Sequence, residues 1–153
     1  MNDATPEQQL KAFIAAYTPD MARQMRAARK RMRALFPRGF ELVYDNYNAL
    51  AIGYAPSQRA SEVALSIAAY PRWVSLFFLR GAAFADPHRV LQGAGSQVRH
   101  IVLTPDMAAF DQPAVQDFIA QAMAPRAQAW AQAAVLQTVI KSVSAKQRSR
   151  RPG

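Results

Sequence analysis

The chain has 153 residues, of which 51% are apolar and 19% charged, and its mean hydropathy is −0.13. The composition excludes a wholly disordered or collagen-like chain. Because the chain has no cysteine, it has no disulfides, thiolate metal ligands or cysteine nucleophiles. The first residues lack the pattern of a secretory signal, and no segment approaches the roughly 20 apolar residues of a membrane span. We therefore expect a cytoplasmic protein, with one domain over residues 1–145 and a basic flexible tail over 146–153.

The formal net charge of +9 is carried by the two ends of the chain. Residues 1–37 contain seven basic and three acidic side chains, residues 38–118 six and seven, and residues 119–153 six and none. We expect the nearly neutral middle to carry the function and the positive ends to be solvated surface. Binding of a nucleic acid or an anionic membrane is the alternative for so basic a chain.

Two helices are predicted before residue 37. The run from Thr5 to Gln8 has the pattern of a capping box with proline at the first helical position, and the helix that follows extends to about Tyr17. Thr18 and Pro19 repeat this start signal for a second helix, which extends to about Leu35. The second helix is amphipathic, with cations on one side and an apolar stripe on the other. The stripe consists of Met21, Met25, Ala28, Met32 and Leu35.

From Phe40 the pattern changes to short runs of period two, which is typical of strands. Two of these runs have one bulky face and one small face. The small face consists of Ala49, Ala51, Gly53, Ala64, Ser66 and Ala68. We expect the methionine stripe of the second helix to pack on the small face, because flexible thioethers fill irregular gaps; an open groove is the alternative. The run from Arg72 to Leu79 is apolar on both faces, which indicates a central strand.

The second half of the chain is predicted to contain one more strand, with helices before and after it. Asp86-Pro87 predicts the start of a short helix that ends at Gly93, and residues 98–103 read as a last strand. A helical pattern follows Pro113, and an apolar stripe after Pro125 predicts a C-terminal helix over about 125–145. That helix either folds back on the chain or closes a homodimer. The whole pattern predicts an α+β fold with two layers, a mostly antiparallel sheet of four or five strands flanked by N-terminal and C-terminal helices.

Several segments resemble a known family in their order and spacing. They are Glu41 to Tyr54, Tyr70 to Gly81, Asp86-Pro87 and Leu91 to Ile101. Together they resemble the YdhG-like family, domain of unknown function 1801, over about residues 20–123. The resemblance implies a small bacterial α+β domain with a sheet flanked by helices, and some members of the family are described as frataxin-like iron chaperones.

Metal and cofactor chemistry have little support in the residues themselves. An iron chaperone of the frataxin kind presents clustered carboxylates, whereas the ten carboxylates of this chain are spread singly along its length. The two histidines, His88 and His100, lie twelve residues apart. The sequence therefore predicts no metal site and no cofactor.

Candidate ligand-binding residues are concentrated in the run Tyr44-Asp45-Asn46-Tyr47-Asn48. Its rings would hold an apolar ligand while its polar groups bond the ligand's polar end; the alternative is a strand end with Asx turns. Tyr54 and Trp73 are candidate pocket walls. Arg80 and Arg99 would form an anion site if they lie close together in the fold. The candidate ligand residues are Tyr44, Asp45, Tyr47, Tyr54, Trp73, Arg80 and Arg99.

The sequence favours binding over catalysis. It contains no Gly-x-Ser-x-Gly elbow, and its Gly93-x-Gly95 stretch leads into a strand rather than a helix, so we assign no catalytic residues. We expect a non-enzymatic binding module for a small ligand, metal or protein partner, and an enzyme with a dispersed site is an open alternative. A nucleic-acid-binding protein is the second hypothesis, using the basic helix 19–36 and the tail. Its candidate residues are Arg23, Arg26, Lys30 and Arg33, with Arg148 to Arg151.

Overall fold

The computed structural model of the protein describes residues 4–153. In this range the chain forms helices on one open sheet, which confirms the predicted α+β class, although the sheet has one strand more than expected. The elements are α1 Pro6–Ala15, α2 Pro19–Leu35, β1 Phe40–Asp45, β2 Leu50–Ala55, β3 Leu65–Ala69, β4 Val74–Phe78, β5 Arg99–Leu103, α3 Pro113–Met123, α4 Ala127–Gln132 and β6 Gln137–Val143.

The six strands lie in the order β5-β4-β3-β2-β1-β6. Strands β1 to β5 pair antiparallel with their neighbours, whereas β6 runs parallel to β1. Val43 lies opposite Ile52, Ile52 opposite Ile67, and Ile67 opposite Leu76. Because side chains alternate along a strand, this register collects the large residues on one face of the sheet.

The predicted starts of the first two helices are confirmed. At α1 the Thr5 hydroxyl accepts from the Gln8 amide at 3.1 Å, and the Gln8 side chain accepts from the Thr5 amide at 2.9 Å. At α2 the Thr18 hydroxyl accepts from the Met21 amide at 3.3 Å. Beyond α2, Gly39 has a φ of +101°, and a Cβ there would lie 2.4 Å from the Ala55 carbonyl oxygen, so only glycine fits this connection.

The methionine stripe of α2 packs on the bulky face of the sheet, so the prediction that it covers the small face is wrong. Met25 and Met32 are fully buried in one core with Ile52 and Leu76. The helix lies there because contact with the large side chains removes more apolar area from water. On the opposite face, Val63 covers Gly53, where a Cβ would lie 2.9 Å from a methyl carbon of Val63.

The predicted C-terminal helix over 125–145 is wrong beyond residue 132. The helix α4 ends at Gln132, and the following residues form β6 beside β1. The β-branched run of Thr138, Val139 and Ile140 suits a strand, and the parallel pairing satisfies backbone groups at what would otherwise be an open edge of β1. Ile140 packs against the core of the same chain, which is the fold-back alternative expected for this stripe.

Residues 86–93 form turns and not the predicted short helix. The Asp86 carboxylate accepts hydrogen bonds from the Val90 and Leu91 amides, both at 2.9 Å. A short polar side chain that bonds nearby amides in this way competes with the helical pattern. Gln92 then forms an antiparallel bridge with His100 of β5. In the described range 4–153, no helix is both long and apolar enough to cross a membrane.

Candidate functional site

The cations of α2 line a groove between α1 and α2. The groove has a volume of about 560 Å³, and α1 contributes Glu7, Lys11 and Ile14 to it. The side chains from α2 are Arg26, Arg29, Lys30 and Arg33. Five cationic residues therefore meet on one concave surface. The positive N-terminal part, expected to be solvated surface, thus forms a concavity between α1 and α2.

A fully buried carboxylate, Glu41 of β1, holds two of these arginines. Arg29 donates from Nε and Nη2 to the two Glu41 oxygens at 3.1 and 2.9 Å, and Arg33 donates from Nη1 at 2.5 Å. The hydroxyls of Tyr54 and Thr138 donate to the same carboxylate at 2.7 and 2.8 Å. The groups that bond the Glu41 carboxylate are guanidinium and hydroxyl donors, as a buried charge requires. Glu41 therefore fixes the orientations of Arg29 and Arg33 from the sheet side of the groove.

Glu7 binds the other side of Arg29 from α1. Its two oxygens accept from Nη1 and Nη2 of Arg29 at 2.8 and 2.6 Å. The side chain of Glu7 is 47% exposed, whereas that of Arg29 is 12% exposed. Arg29 thus joins α1, α2 and β1, while Glu7 and Arg33 are the members of this network that reach well into solvent.

The network keeps its charged groups ionised. The hydrogen bond from Arg29 lowers the pKa of Glu7. Burial acts to raise the pKa of Glu41, but the hydrogen bonds and charge of Arg29 outweigh burial and lower it. Burial likewise acts to lower the pKa of Arg29, and its bonds to Glu7 and Glu41 reverse that effect. Burial raises the pKa of Tyr54, which keeps its hydroxyl a neutral donor to Glu41.

Three cations of the groove remain available to a ligand. Lys11, Arg26 and Lys30 are exposed and form no side-chain hydrogen bond or ion pair within residues 4–153. Arg33 uses only Nη1 on Glu41, so its other N–H groups are free. By contrast Arg23, also on α2, lies outside the groove and pairs with Asp20. The groove can therefore bind oxyanions through ammonium and guanidinium donors.

The seven ligand residues predicted from the sequence do not lie in one site. Tyr54 and Asp45 face the helix layer, while the register places Tyr44 on the opposite face of the sheet. The hydroxyl of Tyr44 is buried without a partner among the described residues. Tyr47 is 49% exposed, with the Arg148 guanidinium 5.9 Å from its ring centre.

The remaining three predicted residues lie at the two ends of β4. Trp73 precedes the strand and lines a cavity with Asn48 and Arg148, whereas Arg80 and Arg99 lie at the other end. Trp73 is 42% exposed and stacks on Tyr70 with ring centres 5.0 Å apart. Arg80 lines a separate cavity near α4. Arg99 donates to the carbonyl oxygens of Gly95 and Val98 at 2.6 and 2.8 Å, so its guanidinium stabilises the turn before β5.

Asp45 is bound by the C-terminal tail. Nη2 of Arg150 lies 2.9 Å from Oδ1 of Asp45, and both side chains are buried. The same guanidinium donates to the Asn46 and Tyr47 carbonyl oxygens at 2.5 and 3.3 Å. Arg150 of the predicted flexible tail is therefore buried, because the buried carboxylate of Asp45 needs a counter-charge. Farther on, Nε of Arg151 donates to the Ala16 carbonyl oxygen at 3.2 Å, which places it at the end of α1.

Glu41 is not among the site residues predicted from the sequence, although the sequence contains a signal for it. Glu41 stands between Phe40 and Leu42 in an otherwise apolar strand start, where a charged residue of inward register requires a partner. Arg29 adjoins Ala28 of the apolar stripe, so it lies at the border of the helix's buried face. A carboxylate inside the sheet and a cation at the helix border are the two halves of this network.

Comparisons with known proteins leave the site to be interpreted from its own geometry. Within residues 4–153, no three histidine, aspartate or glutamate side chains converge as metal ligands. A scan against protein-family models and searches of curated proteins and of solved structures found no match for this chain. The YdhG-like resemblance accordingly stays a hypothesis.

Proposed function

We propose that this protein is a binding protein that holds a small polyvalent anion in the α1–α2 groove. The observation that carries the proposal is the charge of the groove. Five cationic side chains face only the carboxylates of Glu7 and Glu41, which leaves an excess of three positive charges. A concave surface with such an excess concentrates anions near it.

The spacing of the cations along α2 favours a ligand with two anionic groups. Arg26, Lys30 and Arg33 follow one another at intervals of four and three residues, so they share one side of α2. At 1.5 Å per residue, Arg26 and Arg33 are separated by about 10.5 Å along the helix axis. A diphosphate or a di- or tricarboxylate spans part of this distance, and the groove volume of about 560 Å³ suits a molecule of that size.

The chemistry of the groove supports binding rather than catalysis. Both carboxylates of the network are held ionised by arginine, so neither is poised as a general acid near neutral pH. The network instead fixes Arg29 and Arg33 before a ligand arrives, which reduces the conformational entropy lost on binding.

Substitution of a free groove cation is expected to weaken binding of inorganic pyrophosphate. We expect Lys30→Gln and Arg26→Gln each to raise the Kd about tenfold, equivalent to about 1.4 kcal/mol, measured by calorimetry at low ionic strength. Glu7→Gln is expected to strengthen binding, because it removes a negative charge and frees one side of Arg29. Arg23→Gln is the matched control, since it makes the same charge change on the same helix outside the groove.

Two results of this experiment would contradict the proposal. An equal loss in Arg23→Gln would show that only net charge matters and that the groove is not a site. Failure of the wild-type protein to bind pyrophosphate, citrate or inorganic phosphate at low ionic strength would remove the proposed function altogether.

Nucleic-acid binding is the second candidate, and the position of the tail favours it. The contact between Arg151 and Ala16 brings the tail beside the helix pair whose groove contains Arg26, Lys30 and Arg33. The tail thereby adds positive charge near the end of α1. The groove lining includes no aromatic side chain, so binding would rest on phosphates and not on base stacking.

A salt titration separates the two candidates. If the second candidate holds, the affinity for duplex DNA, measured by fluorescence anisotropy, falls steeply with salt, with a logarithmic slope of about −0.9 for each phosphate contacted. Arg26→Gln is then expected to reduce the slope by about one contact, whereas Arg23→Gln leaves it unchanged. Absence of DNA retention at low salt, with pyrophosphate still bound, would leave only the small-anion proposal.

A further inference from the structure

A second cavity lies near α4 and shares no lining residue with the α1–α2 groove. Its volume is about 240 Å³. The segment before β3 contributes Glu62 and Val63, and the segment after β4 contributes Arg80 and Phe84. Arg126 and Trp130 lie on its third side, around the start of α4. The cavity is thus enclosed by three separate parts of the chain.

Trp130 lines this cavity, and its indole nitrogen is buried and unsatisfied. The residue is 5% exposed, and its indole N–H has no hydrogen-bond acceptor among residues 4–153. Leaving a buried donor unpaired costs about 1–3 kcal/mol, so such groups are rare and call for an explanation.

Two guanidinium groups line the same cavity. Arg80 is exposed and forms no side-chain hydrogen bond or ion pair within the described part of the chain. Arg126 lies 3.9 Å from Glu62, which is beyond hydrogen-bond distance. Neither arginine is therefore saturated by the protein, and the charge of the pair exceeds that of the single carboxylate Glu62.

Acceptors on the cavity wall are scarce. The Gln121 side chain, which also lines the cavity, already accepts from the Ala85 amide at 2.9 Å and donates to the Ala85 carbonyl oxygen at 3.0 Å. The two arginines carry one positive charge more than Glu62 neutralises, which favours an anionic ligand. Val63 and Phe84 offer the same ligand an apolar wall.

We propose that this cavity binds a small monocarboxylate with an apolar body. The carboxylate is received by Arg80 and Arg126, and the apolar body lies against Phe84, Val63 and Trp130. A volume of about 240 Å³ corresponds to roughly eight water molecules at about 30 Å³ each, which is the size of an aromatic acid such as benzoate. This site is independent of the anion groove.

The protein has two tryptophans, which provides a direct test with benzoate as the probe. Uniform ¹⁵N labelling yields one indole resonance for each tryptophan, Trp130 in the cavity wall and the exposed Trp73 as an internal reference. We expect benzoate to shift the Trp130 resonance saturably and to leave Trp73 unmoved. Benzyl alcohol, which has the same ring without the charge, is expected to bind at least tenfold more weakly.

Variants assign the effect to the cavity. Arg80→Gln and Arg126→Gln are each expected to weaken benzoate binding about tenfold, whereas Arg23→Gln and the groove variant Lys30→Gln leave it unchanged. The proposal is overturned if the Trp130 resonance does not respond saturably, if benzyl alcohol binds as well as benzoate, or if the response survives both cavity substitutions. Because Lys30→Gln tests the groove, failure here is distinguishable from failure of the proposed function.

Discussion

Glu41→Gln is expected to destabilise the fold by about 3–5 kcal/mol, the effect of removing one partner from a buried ion pair. The substitution keeps the size of the side chain but leaves Arg33 without a carboxylate and Arg29 with Glu7 alone. The new amide also turns N–H donors toward groups that are themselves donors. Urea unfolding monitored by circular dichroism measures the change directly.

The matched control is Asp20→Asn, which makes the same change of charge in an exposed pair. Asp20 and Arg23 both have side chains 61% exposed, and such pairs contribute about 0–1 kcal/mol. A loss in Glu41→Gln no greater than the loss in Asp20→Asn would contradict the buried network.

The network also predicts the direction of acid sensitivity. The pKa values of Glu7 and Glu41 are lowered in the folded state, so their contribution to stability is fully present above the ordinary carboxyl pKa of about 4.3 and is lost as the pH falls through the lower folded values. We expect the free energy of unfolding of the wild type to decrease in that acidic range. Glu41→Gln, already lacking one of the two groups, is expected to lose less over the same interval.

Arg150→Ala is expected to destabilise the protein by about 3 kcal/mol, since it leaves the buried carboxylate of Asp45 without its cation. The substitution removes three hydrogen bonds from the turn after β1, to Asp45, Asn46 and Tyr47. We therefore expect faster amide exchange in that turn and in the tail, together with the loss of stability in urea.

The tail offers its own control in Arg148. Its side chain is exposed beside Tyr47, and its hydrogen bond to the Tyr47 carbonyl oxygen is made by the backbone amide, which alanine retains. Arg148→Ala is expected to change stability by less than about 1 kcal/mol. If Arg150→Ala behaves like Arg148→Ala, the docking of the tail does not contribute to stability in solution.

The ion pairs of Glu41 with Arg29 and Arg33, here called the Glu41 network, connect the anion groove to the sheet. Because Arg29 and Arg33 are held by a carboxylate that belongs to the sheet, the groove and the core share one set of contacts. Substitutions at Arg26 or Lys30 change exposed side chains that form no hydrogen bond or ion pair with Glu41, Arg29 or Arg33. They are therefore the residues at which binding and stability can be measured separately.

Local patterns in the sequence predicted the elements that depend on local interactions. The caps at Thr5 and Thr18 and the end of α2 at Leu35 follow from short-range rules, and each is confirmed. The alternation of bulky and small residues likewise predicted strands β2 and β3. These features need no knowledge of distant partners, because a helix cap or a strand's two faces are properties of a few consecutive residues.

Only the tertiary structure decided what the remaining segments pair with. Residues 137–143 carry a helical spacing of apolar side chains, but the edge of β1 supplied hydrogen bonds that made them a strand. Arg150 belongs to a basic tail by sequence, yet it is buried against Asp45, which lies 105 residues away. Composition and spacing determined the fold class and the charge of α2. The groove, the Glu41 network and the cavity at Trp130 arise from contacts between residues far apart in the chain, whose energy depends on burial and geometry that no local pattern encodes.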